Sequence, residues 1–185
     1  MGQIRIISGS YGGRSLETPE GLATRPLLSR LRKSLADILR PRLPGMRLIE
    51  LFGGSGAISF ELLSNGAAHA HVIELDPIAA AIIRRNATKL GAGVEVETGD
   101  AIERLTAIVK KGETFDLAIV APPYGLGLQA RAMEALAKTR ALKPGGTALV
   151  QREASEPQWE PKSRFEAPLT RSYGRTIFDF YRWHG

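Results

Sequence analysis

Cysteine is missing from all 185 residues, which excludes a disulfide framework and any thiolate metal site. Long apolar runs are missing too: no stretch reaches the ~18 residues that a membrane span needs, and the opening MGQIRIISGS lacks the apolar segment of a secretory signal. Histidine is scarce. His69, His71 and His184 are the whole supply, and their spacing does not form the ligand set of a zinc hydrolase. Ser55 lacks the flanking glycines of a nucleophile elbow, because Ala57 stands at the second glycine position. What remains is a cytoplasmic protein with one sizeable core, for which 43% apolar and 24% charged residues are ordinary.

Acidic residues are also scarce in one place. Residues 1–47 hold nine Lys or Arg against three acids, Glu17, Glu20 and Asp37, while the other 138 residues balance at sixteen against sixteen. The whole net charge of +6 therefore sits at one end. Such an end suits a polyanion, because Lys and Arg gain free energy by releasing the counterions of phosphates. A solvated basic helix with no partner has the same composition.

The apolar pattern predicts the elements. Ile4–Ile7 and Ser15–Glu17 flank the turn SGSYGG as a small β-hairpin, and Leu28, Leu31, Leu35, Ile38 and Leu39 recur at helical spacing up to Arg40, where Pro41 and Pro44 end the helix. From Arg47 onward, strands at 47–52, 71–75, 94–98, 116–121 and 147–152 alternate with helices at about 56–64, 77–90, 100–110 and 128–140. Alternation of this kind means a parallel, doubly wound α/β sheet, with its ligand crevice at the C-terminal strand ends. Arg164–Leu169 and Thr176–Trp183 then read as two strands around SYGR with no helix between them, an antiparallel ending to a seven-stranded sheet. The expected organisation is a basic extension over 1–45 and a Rossmann-like domain over 46–185.

The segment LIELFGGSGAI ends a strand at Phe52 and turns through Gly53, Gly54 and Gly56, where a missing Cβ lets backbone approach a ligand. No Gly-Lys-Ser/Thr follows, so it is not a P-loop. Glu50 lies at that strand's end, positioned to accept from a ligand amine. Glu74, with Leu75, ends the next strand about twenty residues on, where a carboxylate accepts from both ribose hydroxyls. Asp100 and Ala101 follow the third strand, beside the place of an adenine ring. Each acid alone also reads as a helix cap, and Asp76 and Asp100 stand at N-cap positions. Acids at three successive strand ends point to an adenosyl ligand.

DLAIVAPPYG, Asp116 to Gly125, runs a strand into a rigid turn. Pro122 and Pro123 fix φ and remove two donors, which leaves outward carbonyl acceptors suited to gripping an exocyclic amine. Tyr124 is placed to stack on a base. A Pro-Pro turn also simply ends strands.

The turn resembles the (Asp/Asn/Ser)-Pro-Pro-(Tyr/Phe) loop of amino-group methyltransferases, and LIELFGGSGAI resembles their loop for S-adenosylmethionine. From RIISGSYGGRSLETPEGLATRP through LFGGSGAISFELLSNGA and FDLAIVAPPYG to LKPGG and SYGRTIFDFYRW, the chain is similar to the RsmD family of bacterial methyltransferases. That resemblance implies a class I methyltransferase fold and transfer to a guanine N2 amine of small-subunit ribosomal RNA, free or in an assembling subunit, by a monomer without metal or membrane. It implies Ala121, Pro122, Pro123 and Tyr124 as the catalytic loop, Arg25 and Pro26 closing over the cofactor, and the N-terminal hairpin and helix, with Arg5, Arg14, Arg30, Arg32 and Lys33, docking RNA. Two departures stand out. Ala121 replaces the family's usual Asp, and TRPLLSR puts Leu27, Leu28 and Ser29 where polar or acidic residues are usual. An inactive RNA-binding relative, or an enzyme acting on another amine, stays open as an alternative.

Overall fold

The structure is a computed structural model that describes residues 2–20, 26–161 and 164–185, with the side chains of residues 26–28 outside the description. The N-terminal strands β1 (Gly2–Arg5) and β2 (Ser15–Thr18) pair antiparallel, from Gly2 opposite Thr18 to Arg5 opposite Ser15. Helix α1 (Pro26–Leu39) follows and begins on proline, whose fixed φ suits a first helical turn.

The body alternates as its pattern dictates. In order come β3 (Arg47–Glu50), α2 (Ala57–Ser64), β4 (His69–Glu74), α3 (Pro77–Leu90), β5 (Val94–Thr98), α4 (Ala101–Lys110), β6 (Phe115–Val120), α5 (Leu128–Thr139) and β7 (Leu142–Glu153). The ends of α3 show why it starts and stops there. The Asp76 carboxylate accepts from the Ile78 N–H, Pro77 opens the helix, and Gly91 closes it in the left-handed region at φ 64°. The antiparallel pair β8 (Leu169–Tyr173) and β9 (Thr176–Arg182) completes a seven-stranded sheet of order β5-β4-β3-β6-β7-β9-β8. The chain winds outward from β3 to β5 and then returns to β6 on the other side of β3. The crevice of a doubly wound sheet opens at that switch point.

Successive strand residues serve opposite faces. Leu48, Val72, Leu117 and Ile119 join one buried cluster, and Ile49, Ile73, Ala118 and Val120 join the other, under α4 and α5. The first cluster also holds Ile4, Ile6, Leu16, Leu31 and Leu35. Among the described residues, the apolar side chains of the basic extension thus pack into a core shared with the sheet.

Several boundaries differ from expectation. The first strand of the closing hairpin is Leu169–Tyr173, not 164–169. Phe165 instead makes an isolated bridge to Trp183 within a ring cluster with Trp159 and Tyr181. The strand expected over 47–52 ends at Glu50, because the chain turns so that the Gly53 N–H reaches the Ile73 carbonyl at 2.8 Å. Among the described residues, no helix is long and apolar enough to cross a membrane.

Candidate active site

The glycine turn leaves β3 and crosses the end of β4. A Cβ on Gly53 would stand 2.5 Å from Val72 Cγ1, so only glycine lets the turn lie this close to the neighbouring strand. Gly56, at φ 70°, begins α2. The Glu74 carboxylate holds the turn, accepting from the Gly54 N–H at 2.5 Å through one oxygen and from the Asp76 N–H at 2.8 Å through the other. Each oxygen has a lone pair left for a diol. Beside it, Leu75 and Ile78 are about 70% exposed, an apolar lip of the kind that a flat ring covers. Asp100 caps α4 through Oδ1, accepting from the N–H groups of Ile102 and Glu103, and among the described residues these bonds leave Oδ2 free. Ala101, the first residue of α4, is buried in the core. Arg25 lies outside the described residues, and of Pro26 only the backbone at the start of α1 is described.

Glu50 is 2% exposed and accepts from the Ser59 hydroxyl at 2.5 Å and the Ser59 N–H at 3.3 Å. Burial, opposed by the bonds from Ser59 and reinforced by the charge of Glu74, pushes its carboxyl up to about 7. An unfolded glutamate ionises at about 4.5. Between those values the unfolded chain binds fewer protons, so the ligand-free fold loses stability as pH rises from about 4.5 to 7 and then levels. The loss is on the order of 3 kcal/mol. Glu50→Gln is therefore expected to raise the ligand-free melting temperature by several degrees at pH 8 and hardly at pH 4. The same change should weaken binding of a cationic amine, and melting scans with ligand titrations at both pH values measure the two effects. An unchanged melting temperature at pH 8 would contradict the assignment.

The second loop leaves β6. Ala121 is half-buried, Pro122 is buried, and Pro123 and Tyr124 are exposed. The end of β7 and the segment after it fix the loop: Gln151 Nε2 on β7 donates to the Tyr124 hydroxyl at 2.7 Å, and the Gly125 N–H donates to Oε1 of Glu156, just past the strand, at 2.7 Å. Glu156 in turn accepts from the Glu153 N–H at 2.8 Å. Its burial raises the carboxyl's pKa, but these N–H donors outweigh that and hold it below the usual range. The two loops meet in one cavity of about 230 Å³, lined by Glu50, Phe52, Gly53 and Gly54 on one side and by Ala121 and Gln151 on the other. Leu31, Arg32 and Leu35 of α1 and Ile4 of β1 also line it, with Ser55, Ala57, Ile58 and Phe178.

Of the cations expected on the RNA face, Arg5, Arg14, Arg30 and Lys33 are exposed. Arg32 is corrected: at 8% exposure it lies inside, donates to the Arg5 carbonyl at 2.9 Å and stands 3.9 Å from Glu61. Burial holds its guanidinium below the ordinary range, with Glu61 opposing.

Sequence reading missed the groups that clamp the extension. Glu61, 1% exposed on α2, accepts from the N–H groups of Ile7 and Ser8. Asn86 on α3 accepts from the Glu17 N–H at 3.0 Å and donates to the Glu17 carbonyl at 2.9 Å. Their only sequence signal is a polar residue on a helix's apolar face. Strand pairing, which the sequence spacing did not show, sets His69 and His71 against Glu95 at 3.4 and 2.8 Å. That cluster lies toward the N-terminal ends of the strands, away from the crevice.

A family model described as Conserved hypothetical protein 95 matches residues 4–182. Ribosomal RNA small subunit methyltransferase D of Escherichia coli is 35% identical over 128 residues, which is 69% of this chain and 63% of that protein, so the match spans less than two thirds of the relative's length. The protein of the same name from Haemophilus influenzae is 28% identical over 165 residues, 88% of this chain and 85% of the relative. The solved structure of yhhF from Escherichia coli agrees at a TM-score of 0.88 and 29% identity, covering 99% of both chains.

Proposed function

The chain belongs to the family described as Conserved hypothetical protein 95, together with the small-subunit ribosomal RNA methyltransferases D, and on that premise we propose that it methylates the exocyclic N2 amine of a guanine in small-subunit ribosomal RNA. The methyl donor is S-adenosylmethionine, which when bound supplies an electrophilic methyl on a sulfonium. The fold is that of class I methyltransferases. The observation that supports this reading is that the glycine turn, with Glu50 behind it, and Ala121, which opens the Pro-Pro-Tyr loop, line one cavity.

Each residue then has a task. Glu74 accepts from the ribose hydroxyls, Leu75 and Ile78 cover the adenine ring, Asp100 meets its amino group, and Glu50 faces the ligand's ammonium, which offsets the cost of ionising a buried carboxyl. The backbone carbonyls of Ala121 and Pro122 accept from the amine hydrogens, and Tyr124 stacks on the extruded base. The exposed Arg5, Arg14, Arg30 and Lys33 meet phosphates.

Ala121 favours a second reading, a noncatalytic RNA-binding relative. Label transfer from S-adenosylmethionine to unmodified small subunits, measured alongside RNA affinity across a salt series, separates the two. The proposal expects multiple turnovers and an affinity that falls steeply with salt, at a slope of about −0.7 to −0.9 per phosphate contact. Salt-dependent binding without turnover supports the binder. Turnover on small molecules without RNA affinity overturns the RNA assignment.

A further inference from the structure

The loop lacks a side-chain acceptor at position 121, and the sheet places another beside it. In the parallel β6·β7 ladder Val120 pairs with Val150, so Ala121 and Gln151 are neighbours where the two strands reach the crevice. Both line the same cavity. Adjacent strands lie ~4.8 Å apart, a gap that glutamine, one methylene longer than aspartate, crosses toward the space left by the alanine methyl. The amide is already oriented, because its Nε2 donates to the Tyr124 hydroxyl at 2.7 Å. Among the described residues that is its single side-chain hydrogen bond, and Oε1 stays uncommitted. A glutamine whose nitrogen is held by the base-stacking tyrosine has its oxygen beside the edge of whatever the tyrosine stacks on.

We infer that Gln151 Oε1 is the side-chain acceptor for the substrate amine, replacing from β7 the carboxylate that position 121 does not carry. The inference rests on the proposed amino-group methylation. An exocyclic amine conjugates its lone pair into the ring, and an acceptor that takes one of its hydrogens helps turn that pair toward the methyl group. The amine nitrogen forms its bond to the methyl carbon as the sulfur–carbon bond breaks, and that electron pair stays on sulfur as a neutral thioether. The cationic product amine then loses one proton to water. A neutral amide suits this order of events, since it orients the amine before transfer and is not required as a base. Tyr124 is thus held by the same residue that holds the amine, which fixes base and nucleophile in one frame.

Four variants test this by turnover on unmodified small subunits with labelled donor. Gln151→Leu keeps the bulk and removes the acceptor, and kcat is expected to fall by about 100-fold with donor affinity and melting temperature near wild type. Tyr124→Phe breaks the same Gln151–Tyr124 bond but keeps the acceptor, so its loss should be at least about tenfold smaller. Ala121→Asp restores a carboxylate, and adding it to Gln151→Leu should recover about tenfold or more, a rescue that a merely structural glutamine would not show. Three results would overturn the inference: Gln151→Leu turning over within about threefold of wild type, Tyr124→Phe losing as much as Gln151→Leu, or the double variant recovering nothing. A wild-type chain that binds donor and RNA yet methylates nothing overturns the underlying reading as well.

Discussion

Glu61→Ala is expected to be the most destabilising single change on the α2 face, lowering the unfolding free energy by about 3–5 kcal/mol. The carboxylate is 1% exposed and accepts from the Ile7 N–H at 2.9 Å, the Ser8 N–H at 3.0 Å and the Ser8 hydroxyl at 3.2 Å. Its removal leaves two N–H groups without partners and strands the Arg32 guanidinium, itself 8% exposed, without its counter-charge. Because Arg32 also holds the Arg5 carbonyl, the loss spreads into the β1–β2 hairpin. Glu61→Gln keeps acceptor geometry for part of the network and should lose about half as much. Chemical denaturation of the three proteins measures this, and hydrogen exchange locates the loosening at residues 2–18. A loss under about 1 kcal/mol for Glu61→Ala would show that water replaces the carboxylate.

The second large effect concerns the cofactor. Glu74→Ala is expected to raise the dissociation constant for S-adenosylmethionine by about 100-fold or more, since the proposed role gives its carboxylate two charge-assisted bonds to ribose hydroxyls at roughly 1.5–3 kcal/mol each. The same change frees the Gly54 and Asp76 N–H groups, which Glu74 now holds at 2.5 and 2.8 Å. Asp76→Asn, which leaves Glu74 in place, should change affinity little. Calorimetric titration of donor into each variant decides the matter. A Glu74→Ala constant within about threefold of wild type would remove Glu74 from the site.

The parts of the site legible in the sequence are those whose conformation is local. Gly53 to Gly56 announce a turn because glycine alone tolerates that backbone, and Pro122–Pro123 announce a rigid loop by fixing φ. The acids Glu50, Glu74 and Asp100 were legible as positions because each stands at or just past the end of a strand whose pattern is local. Illegible were the partnerships made across the fold. Glu61 meets Ile7 and Ser8 more than fifty residues away, and Asn86 meets Glu17 at a similar separation. Nothing local marks either residue beyond an out-of-place polarity. Arg32 shows the same limit in reverse: composition counted it with the surface cations, and only tertiary packing turns it inward. Gln151 belongs here as well, since its relation to Ala121 exists only through the β6·β7 register.

The basic end was legible as a total, but its geometry depends on clamping the hairpin to α2 and α3. Lys33 and Arg40 share Asp37 at 2.7 and 2.8 Å, pairs more than half exposed at the cation and therefore weak enough to exchange for phosphate.

The most direct test of the account is nucleoside analysis of small-subunit RNA from particles lacking the modification, after incubation with this protein and labelled S-adenosylmethionine. The account predicts label in a single nucleoside that comigrates with N2-methylguanosine and maps to one site. Label in a different nucleoside, or none in RNA from a protein that still binds the donor, would contradict it.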